Sequence, residues 1–411
     1  MLTTRAWAVI GGAVLLWLTS RALGAPDLHM IAVGLLALVP LSALLVRAAR
    51  HDLAATRRLS SRRVFPGTRV RVDLDLRNMG RRRTSLLLLE DRLPSTLGTP
   101  ARAVTGEIRP GTGQTVSYHL TPRVRGRYAV GPLSAWVADP FDLIRQRIDF
   151  GDRHDLVVYP AVEELGPSHS AAPVGGTGES STRQLFRTGD DFYTMRGYEI
   201  GDDLRKIHWP SVARTGELMI RQDEAVRRAS AVLFLDTRGS ALGDWPEAFE
   251  RGVSVAASIG AHHLRAGFTL RLALPDAPVR PVDTDGFLEL LALVRPSPAR
   301  QITPSLRGLR SAASAATSLV IVTHVPPPEE IAALSQLSGG FATRLAVLIH
   351  RVDEGGRTLP ASREADRAAH AARASLTRAG WEVLLLWPSG RLREIWDLRD
   401  KRAARRIAAF S

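Results

Sequence analysis

Two apolar runs open the chain, and the hydrophobic period then changes twice along its length. Ala6 to Leu18 is almost unbroken, and Thr19 to Gly24 extends it with Arg21 as the one charge. After Ala25-Pro26-Asp27, the stretch Leu28 to Val46 carries no acidic or basic side chain apart from His29. Each run approaches the roughly 20 residues a helix needs to cross hydrocarbon. Core helices of that length rarely lack a polar face. The pattern therefore predicts a transmembrane hairpin in residues 1–50, with spans near 6–24 and 28–46.

From 59 to 164 apolar and polar positions alternate in short bursts. Thr68 to Leu76 is the clearest, and further strands are expected at Ser85–Leu89, Ala103–Ile108, Gln114–Leu120, Gly126–Val130, Leu133–Ala138 and Leu156–Tyr159. Turns rich in Gly, Pro and Asp separate them, which predicts an all-β sandwich of immunoglobulin-like form. Residues 165–228 then hold a loop, Gly166 to Thr182, and a dense polar segment. The loop lacks the strand, helix and lysine that frame a phosphate cradle.

From 229 to 411 continuous apolar runs alternate with helical patterns. Strands are expected at Ala231–Asp236, Thr269–Leu274, Leu319–Thr323, Arg344–His350 and Glu382–Trp387. Helices are expected at Pro246–Ala266, Phe287–Leu293, Pro328–Leu337, Ser362–Ala379 and Arg391–Phe410. Such alternation predicts a mostly parallel sheet covered on both faces, with ligands beyond the carboxyl ends of its strands.

Charge places this body. The 411 residues carry a formal charge of +14, no cysteine, and lysine only at Lys206 and Lys401. Disulfides and thiolate chemistry are excluded. Arg5 precedes the first run, while Arg47, Arg50, Arg57, Arg58, Arg62 and Arg63 follow the second; the link between the runs carries only Arg21, Asp27 and His29. The positive-inside rule puts both ends and the soluble body on the cytoplasmic side of an inner or plasma membrane, with the arginines on anionic lipid. Ala22-Leu23-Gly24 loosely resembles a signal cleavage site, but Arg21 and Pro26 argue against cleavage. No basic stripe with interleaved aromatics points to nucleic acid.

The densest chemistry lies between Gly189 and Gln222. Arg196, Tyr198, Gly201, Asp202, Asp203, Arg205, Ile207, His208, Trp209, Ala213, Arg214 and Leu218 follow one another at a spacing that closely resembles the signature of the bacterial family called domain of unknown function 58. Arg125-Gly126-Arg127-Tyr128 and Asp139-Pro140-Phe141-Asp142-Leu143 also look like that family's β domain. Interleaved guanidinium and carboxylate groups could clasp two domains, with Tyr198 and Trp209 supplying buried area. The same residues, Arg196 to Arg214, could instead form a docking site. A catalytic role for Asp202, Asp203 and His208 is the third reading, weakened because nearby arginines compete for the carboxylates.

Asp236-Thr237-Arg238-Gly239-Ser240 ends the first strand of the α/β region and resembles the Asp-x-Ser-x-Ser site of von Willebrand factor type A domains, where oxygens hold Mg²⁺. Asp236, Ser240 and Thr323 are the candidate ligands. Arg238 in place of the middle serine, and Thr323-His324-Val325 in place of Thr-Asp-Gly, make the site degenerate; Asp283 and Asp285 are candidate substitutes. No cofactor is expected unless Mg²⁺ binds here, and Arg238 at the rim would meet a partner's carboxylate.

The resemblance implies a non-enzymatic adaptor or scaffold working with a MoxR-type AAA+ ATPase, with membrane lipid and other envelope proteins as further partners. The chain has no Gly-x-x-x-x-Gly-Lys loop of its own. The alternative is a metal-dependent hydrolase acting on cell-envelope substrates. Against it, no Gly-x-Ser-x-Gly or His-Glu-x-x-His occurs, and the adjacent His262 and His263 are expected to be ordinary surface or interface residues.

Overall fold

The computed structural model describes residues 2–48, 52–84, 86–139, 141–166, 193–199, 203, 207–223, 229–351 and 360–399. The chain divides into two compact units, Met1–Ala161 and Val162–Ser411.

The first unit begins with two helices, α1 (Thr4–Leu23) and α2 (Pro26–Ala48). Thr3 caps α1 by accepting from the Ala6 N–H, and Gly24 ends it at a φ of 64°, a conformation that costs glycine nothing. Trp7, Leu15, Met30 and Leu44 are each more than 60% exposed, so these helices do not bury their apolar surface inside the protein. By length and composition both can cross a membrane.

Ten strands follow: β1 (Leu53–Leu59), β2 (Arg63–Val64), β3 (Val70–Asn78), β4 (Leu87–Asp91), β5 (Ala101–Thr105), β6 (Gly113–Leu120), β7 (Gly126–Val130), β8 (Leu133–Ala138), β9 (Arg145–Phe150) and β10 (His154–Val158). They form three sheets, ordered β1-β3-β6, β5-β4-β8-β9 and β2-β10-β7. The alternation along β3 buries Val70, Val72, Leu74 and Leu76, which share one core with Leu87 and Leu89 of β4, Ala135 and Val137 of β8, and Leu156 and Val158 of β10.

One element departs from the sequence expectation. The arginine cluster assigned to the membrane surface lies partly in β1, where the buried Arg57 donates to Asp91 of β4 (Nε–Oδ2 3.0 Å, Nη2–Oδ1 2.5 Å) and to the Asp152 carbonyl (2.9 Å). Tyr118 of β6 donates to the same carboxylate at 2.6 Å. Arg57 thus ties two sheets together and is not at a lipid surface. Its neighbour Arg58 pairs with Asp75 of β3 at 2.6 Å.

The second unit holds a two-stranded hairpin, β11 (Tyr193–Gly197) with β12 (Met219–Asp223), and a short helix α3 (Trp209–Thr215). Its centre is a six-stranded sheet of β13 (Ser230–Leu235), β14 (Thr269–Leu274), β15 (Ala277–Val282), β16 (Ser314–His324), β17 (Phe341–Ile349) and β18 (Glu382–Leu386). The order is β15-β14-β13-β16-β17-β18, parallel throughout except for the antiparallel edge strand β15. Five consecutive residues of β13, Ala231 to Leu235, are fully buried, as a strand covered on both faces requires.

The covering helices are α4 (Pro246–Arg265), α5 (Thr284–Leu293), α6 (Thr303–Ser311), α7 (Pro328–Ser335) and α8 (Pro360–Arg378), with a further helix at 392–399. Leu306 and Leu309 of α6, Leu334 of α7 and Leu376 of α8 pack against Val232, Phe234 and Ile321 on one face. On the other, α4 lies close to Leu235 and Ile349 at Gly252. At Gly260 of α4 a Cβ would stand 2.2 Å from the Phe287 ring of α5, so only glycine admits this approach.

Candidate functional site

The signature segment is in part described. Arg196 lies on β11 opposite Ile220 of β12, the Tyr198 N–H bonds the Leu218 carbonyl at 2.8 Å, and the His208 N–H bonds the Met219 carbonyl at 2.9 Å. His208 Nδ1 is 2.9 Å from Ser211 Oγ at the start of α3. Gly201, Asp202 and Arg205 lie outside the described residues, as does most of the loop Gly166–Thr182. Asp203 is exposed, and Arg214 is exposed in the last turn of α3. Trp209 corrects the sequence expectation: it is 65% exposed and supplies little buried area.

The second locus lies where chemistry is expected in such a sheet. The strand order reverses between β13 and β16, and the two connections leave in opposite directions, which opens a crevice at the carboxyl ends. Asp236 follows β13, and Thr323 and His324 end β16. Arg238 is not at the rim, as the sequence suggested, but fully buried. Its Nε donates to Asp236 Oδ1 at 2.8 Å and its Nη2 to Asp236 Oδ2 at 2.7 Å. The far side of the same guanidinium reaches Glu330 at the start of α7, with Nη1–Oε1 at 2.8 Å and Nη2–Oε2 at 3.1 Å, and Nη1 also meets the Arg300 carbonyl at 3.4 Å. Thr323 Oγ1 donates to Asp236 Oδ2 at 2.8 Å.

One planar cation is therefore gripped by two carboxylates, the geometry for which guanidinium is suited and ammonium is not. Burial alone would lower the Arg238 pKa, but the hydrogen bonds it donates to Asp236 and Glu330 outweigh it and hold the group charged. His324 is pushed down to about 3, first by burial and then by Arg351, so it is neutral at pH 7. Arg351 is itself lowered by burial, opposed by Glu330 and Asp244. Its guanidinium lies over the Trp245 ring at 5.5 Å and donates to the Ser240 and Ala241 carbonyls. The crevice, about 690 Å³, is lined by Ser240, Arg300, His324, Glu330 and Arg351 beside Pro326–Pro328.

Asp236, His324 and Glu330 offer donor atoms within 4.8 Å of one another, close enough for a divalent ion. The donor set nevertheless does not fit one as it stands. Both Asp236 oxygens are taken by Arg238, and a metal would have to share them with a positive charge. Ser240, the second ligand suggested by sequence, is exposed and its carbonyl accepts from Arg351. Asp283 is no substitute: its Oδ1 accepts from the Gly286 N–H and caps α5. Sequence reasoning missed Glu330, whose position after three prolines reads only as a helix start.

Of the paired histidines, one is not at the surface. His263 is buried, its Nδ1 is 2.8 Å from the Ile259 carbonyl, and burial pushes its pKa down to about 4. His262 packs edge-on against Trp396 with ring centroids 5.3 Å apart.

Against known proteins, residues 194–274 match the family profile described as "Protein of unknown function DUF58", which takes in the hairpin, Arg238 and the sheet's first two parallel strands. The uncharacterized protein YeaD of Bacillus subtilis is 26% identical over 249 residues, covering 58% of each chain, so the match spans less than two thirds of that curated relative. Among solved structures, the CARDB domain of a Pyrococcus furiosus protein (15% identity, 26% of this chain, 93% of that one) aligns at a TM-score of 0.20. Spo0M, a sporulation control protein of Bacillus subtilis (16% identity, 26% of this chain, 49% of that one), aligns at 0.16. At those scores the likeness assigns no fold. Over residues 194–274 this chain is thus similar to the DUF58 family, whose function is not known, and over a longer stretch to the uncharacterized YeaD.

Proposed function

We propose that this protein is a non-enzymatic adaptor, anchored in the inner or plasma membrane by α1 and α2, which docks a MoxR-type AAA+ ATPase to its cytoplasmic body. The observation that carries the reading is the Arg238 clamp. At the crevice where an α/β enzyme of this topology would keep its reactive carboxylates available, Asp236 and Glu330 are instead neutralised by an internal cation. What remains is a rigid recess and, elsewhere in the unit, an exposed Trp209. Both suit binding more than turnover.

The strand order, the antiparallel edge strand and Asp236 at the end of the first strand support reading the sheet as a von Willebrand factor type A-like domain. In the first unit, Tyr128 at the start of β7 donates to the Val124 carbonyl at 2.8 Å, in the manner of a tyrosine corner, which supports an immunoglobulin-like sandwich. The cytoplasmic side follows from the arginine asymmetry about the hairpin.

Full-length protein carrying an affinity tag, purified from its native membrane with ATP present, is expected to retain an AAA+ ATPase. Trp209→Ala is expected to reduce that recovery with folding unchanged. Absence of any ATPase from the wild-type sample would sink the adaptor reading. The Asp236, His324 and Glu330 grouping then makes divalent-dependent hydrolysis of envelope substrates the next activity to assay.

A further inference from the structure

The start of α1 is stitched to a distant turn of its own unit. The Thr3 N–H bonds the Leu143 carbonyl at 2.9 Å, Thr3 Oγ1 donates to the Asp142 carbonyl at 2.6 Å, and Leu2 forms an isolated antiparallel bridge with Ile144. Arg5, in the first turn of α1, approaches Asp142 at 3.6 Å.

The turn is built to hold its shape. Asp139 accepts from the Phe141 N–H at 3.0 Å and from the Ile144 N–H at 2.6 Å. Asp142 adopts a φ of 54°, where few residues other than glycine rest, and Arg145 grips its carboxylate through Nε at 2.8 Å and Nη2 at 2.9 Å. Phe141, at the tip, is 49% exposed and Leu2 43% exposed, although both are apolar and adjacent to a fixed framework.

Length then sets the depth of this turn. The 20 residues of α1 rise about 30 Å, which is also roughly the thickness of the hydrocarbon layer. A helix with no spare length must begin at the hydrocarbon boundary. Whatever is hydrogen-bonded to Thr3 then lies a few ångströms away, among the lipid headgroups. An aromatic ring and a shared arginine–carboxylate cluster are the side chains that such a layer accommodates.

We propose that the turn 139–144 is a lipid-contacting element in which Phe141 and Leu2 enter the boundary between headgroups and acyl chains beside α1. Arg5 and Arg145 share the Asp142 carboxylate beside the start of α1. The turn thereby fixes the tilt of the β unit against the bilayer. The proposal rests on the membrane-spanning reading of α1 and α2, and needs neither the adaptor role nor any partner.

The absence of native cysteine permits a direct test in the full chain. Single-cysteine variants Phe141→Cys, Val33→Cys (exposed, in α2) and Val104→Cys (exposed, in β5) would be spin-labelled and reconstituted into vesicles of phosphatidylcholine with phosphatidylglycerol. Accessibility to oxygen and to a water-soluble nickel complex gives the depth of each label. Val33→Cys is expected deep in the bilayer, Val104→Cys in water, and Phe141→Cys at the interface, several-fold less accessible to nickel than Val104→Cys. A deep Val33→Cys with Phe141→Cys as open to nickel as Val104→Cys overturns the proposal alone. A water-exposed Val33→Cys overturns the spanning reading and the proposal with it.

Discussion

Two buried arginines, one in each unit, make nearly the same contacts to different ends. Arg57 is 2% exposed and Asp91 0%; Arg238 and Asp236 are both 0% exposed. In the β unit the pair joins residues 34 apart in sequence, and a tyrosine hydroxyl completes it. In the α/β unit the arginine sits two residues from its first carboxylate and borrows a second from Glu330 of α7, which lines an open crevice. The first pair joins two sheets of one core. The second holds a position where a metal ion would make chemical sense. Burial of charge thus says little by itself; its location in the topology decides what it means.

The largest effect should come from breaking the purely structural pair. Arg57→Ala leaves the buried Asp91 without its cation, with only the Tyr118 hydroxyl still bonded to it, and is expected to cost about 3–5 kcal/mol of stability. The double change Arg57→Met/Asp91→Leu should recover most of it, as read by chemical denaturation. If the double variant were as unstable as the single one, the staple would be more than a replaceable contact.

Arg238→Ser should cost a similar amount, about 3–5 kcal/mol, when divalent ions are absent. It also restores the Asp-x-Ser-x-Ser spelling at residues 236–240. Mg²⁺ at about a hundred times its Kd should then return roughly 2.7 kcal/mol to the variant and nothing to the wild type. A rise in wild-type Tm with Mg²⁺ would contradict the assignment of Arg238 as the resident cation.

Acid should separate the units further. His263 and His324 are held neutral in the folded protein, with pKa values near 4 and 3 against 6.5 when unfolded. Their lowered values mean that only the unfolded chain takes up these protons as pH falls below about 6.5. Stability is therefore complete above that pH and is lost progressively toward pH 4 and below. At pH 5 the loss is about 2 kcal/mol for each histidine. His263→Asn/His324→Asn should flatten the dependence of the α/β transition between pH 7 and 5 while leaving that of the β unit unchanged.

Smaller effects complete the contrast. Tyr118→Phe removes one hydrogen bond to a buried carboxylate and is expected to cost about 1–2 kcal/mol in the β unit. Trp209→Ala, at an exposed position, should change stability by no more than about 0.5 kcal/mol. A larger loss there would revive the clasp reading.

The sequence pattern recovered most elements, because half-buried and fully buried strands write different periods. Gly126–Val130, Leu133–Ala138 and Thr269–Leu274 match the observed strands residue for residue. Among the elements it missed, with β2, β9 and α6, are β1, where Arg57 occupies the inward position that an apolar residue usually takes, and β15, where Pro278 and Pro281 disguise an edge strand that needs few donors. The site was legible by place, since Asp236 ends the first strand of an alternating region. Its character was not. Arg238 reads locally as a spoiled metal ligand, and only the fold brings Glu330, 92 residues later, to complete the clamp.

The stitch between Thr3 and Asp142 also sets a timetable. Its two halves lie 139 residues apart, so α1 is synthesised long before the turn that receives it. At roughly 5–20 residues per second, the wait is about 7–28 s. On the membrane-spanning reading, the hairpin must hold its place in the lipid throughout that interval without help from the β unit. Its largely apolar surface is what equips it to do so, and the stitch can close only after the turn has been made.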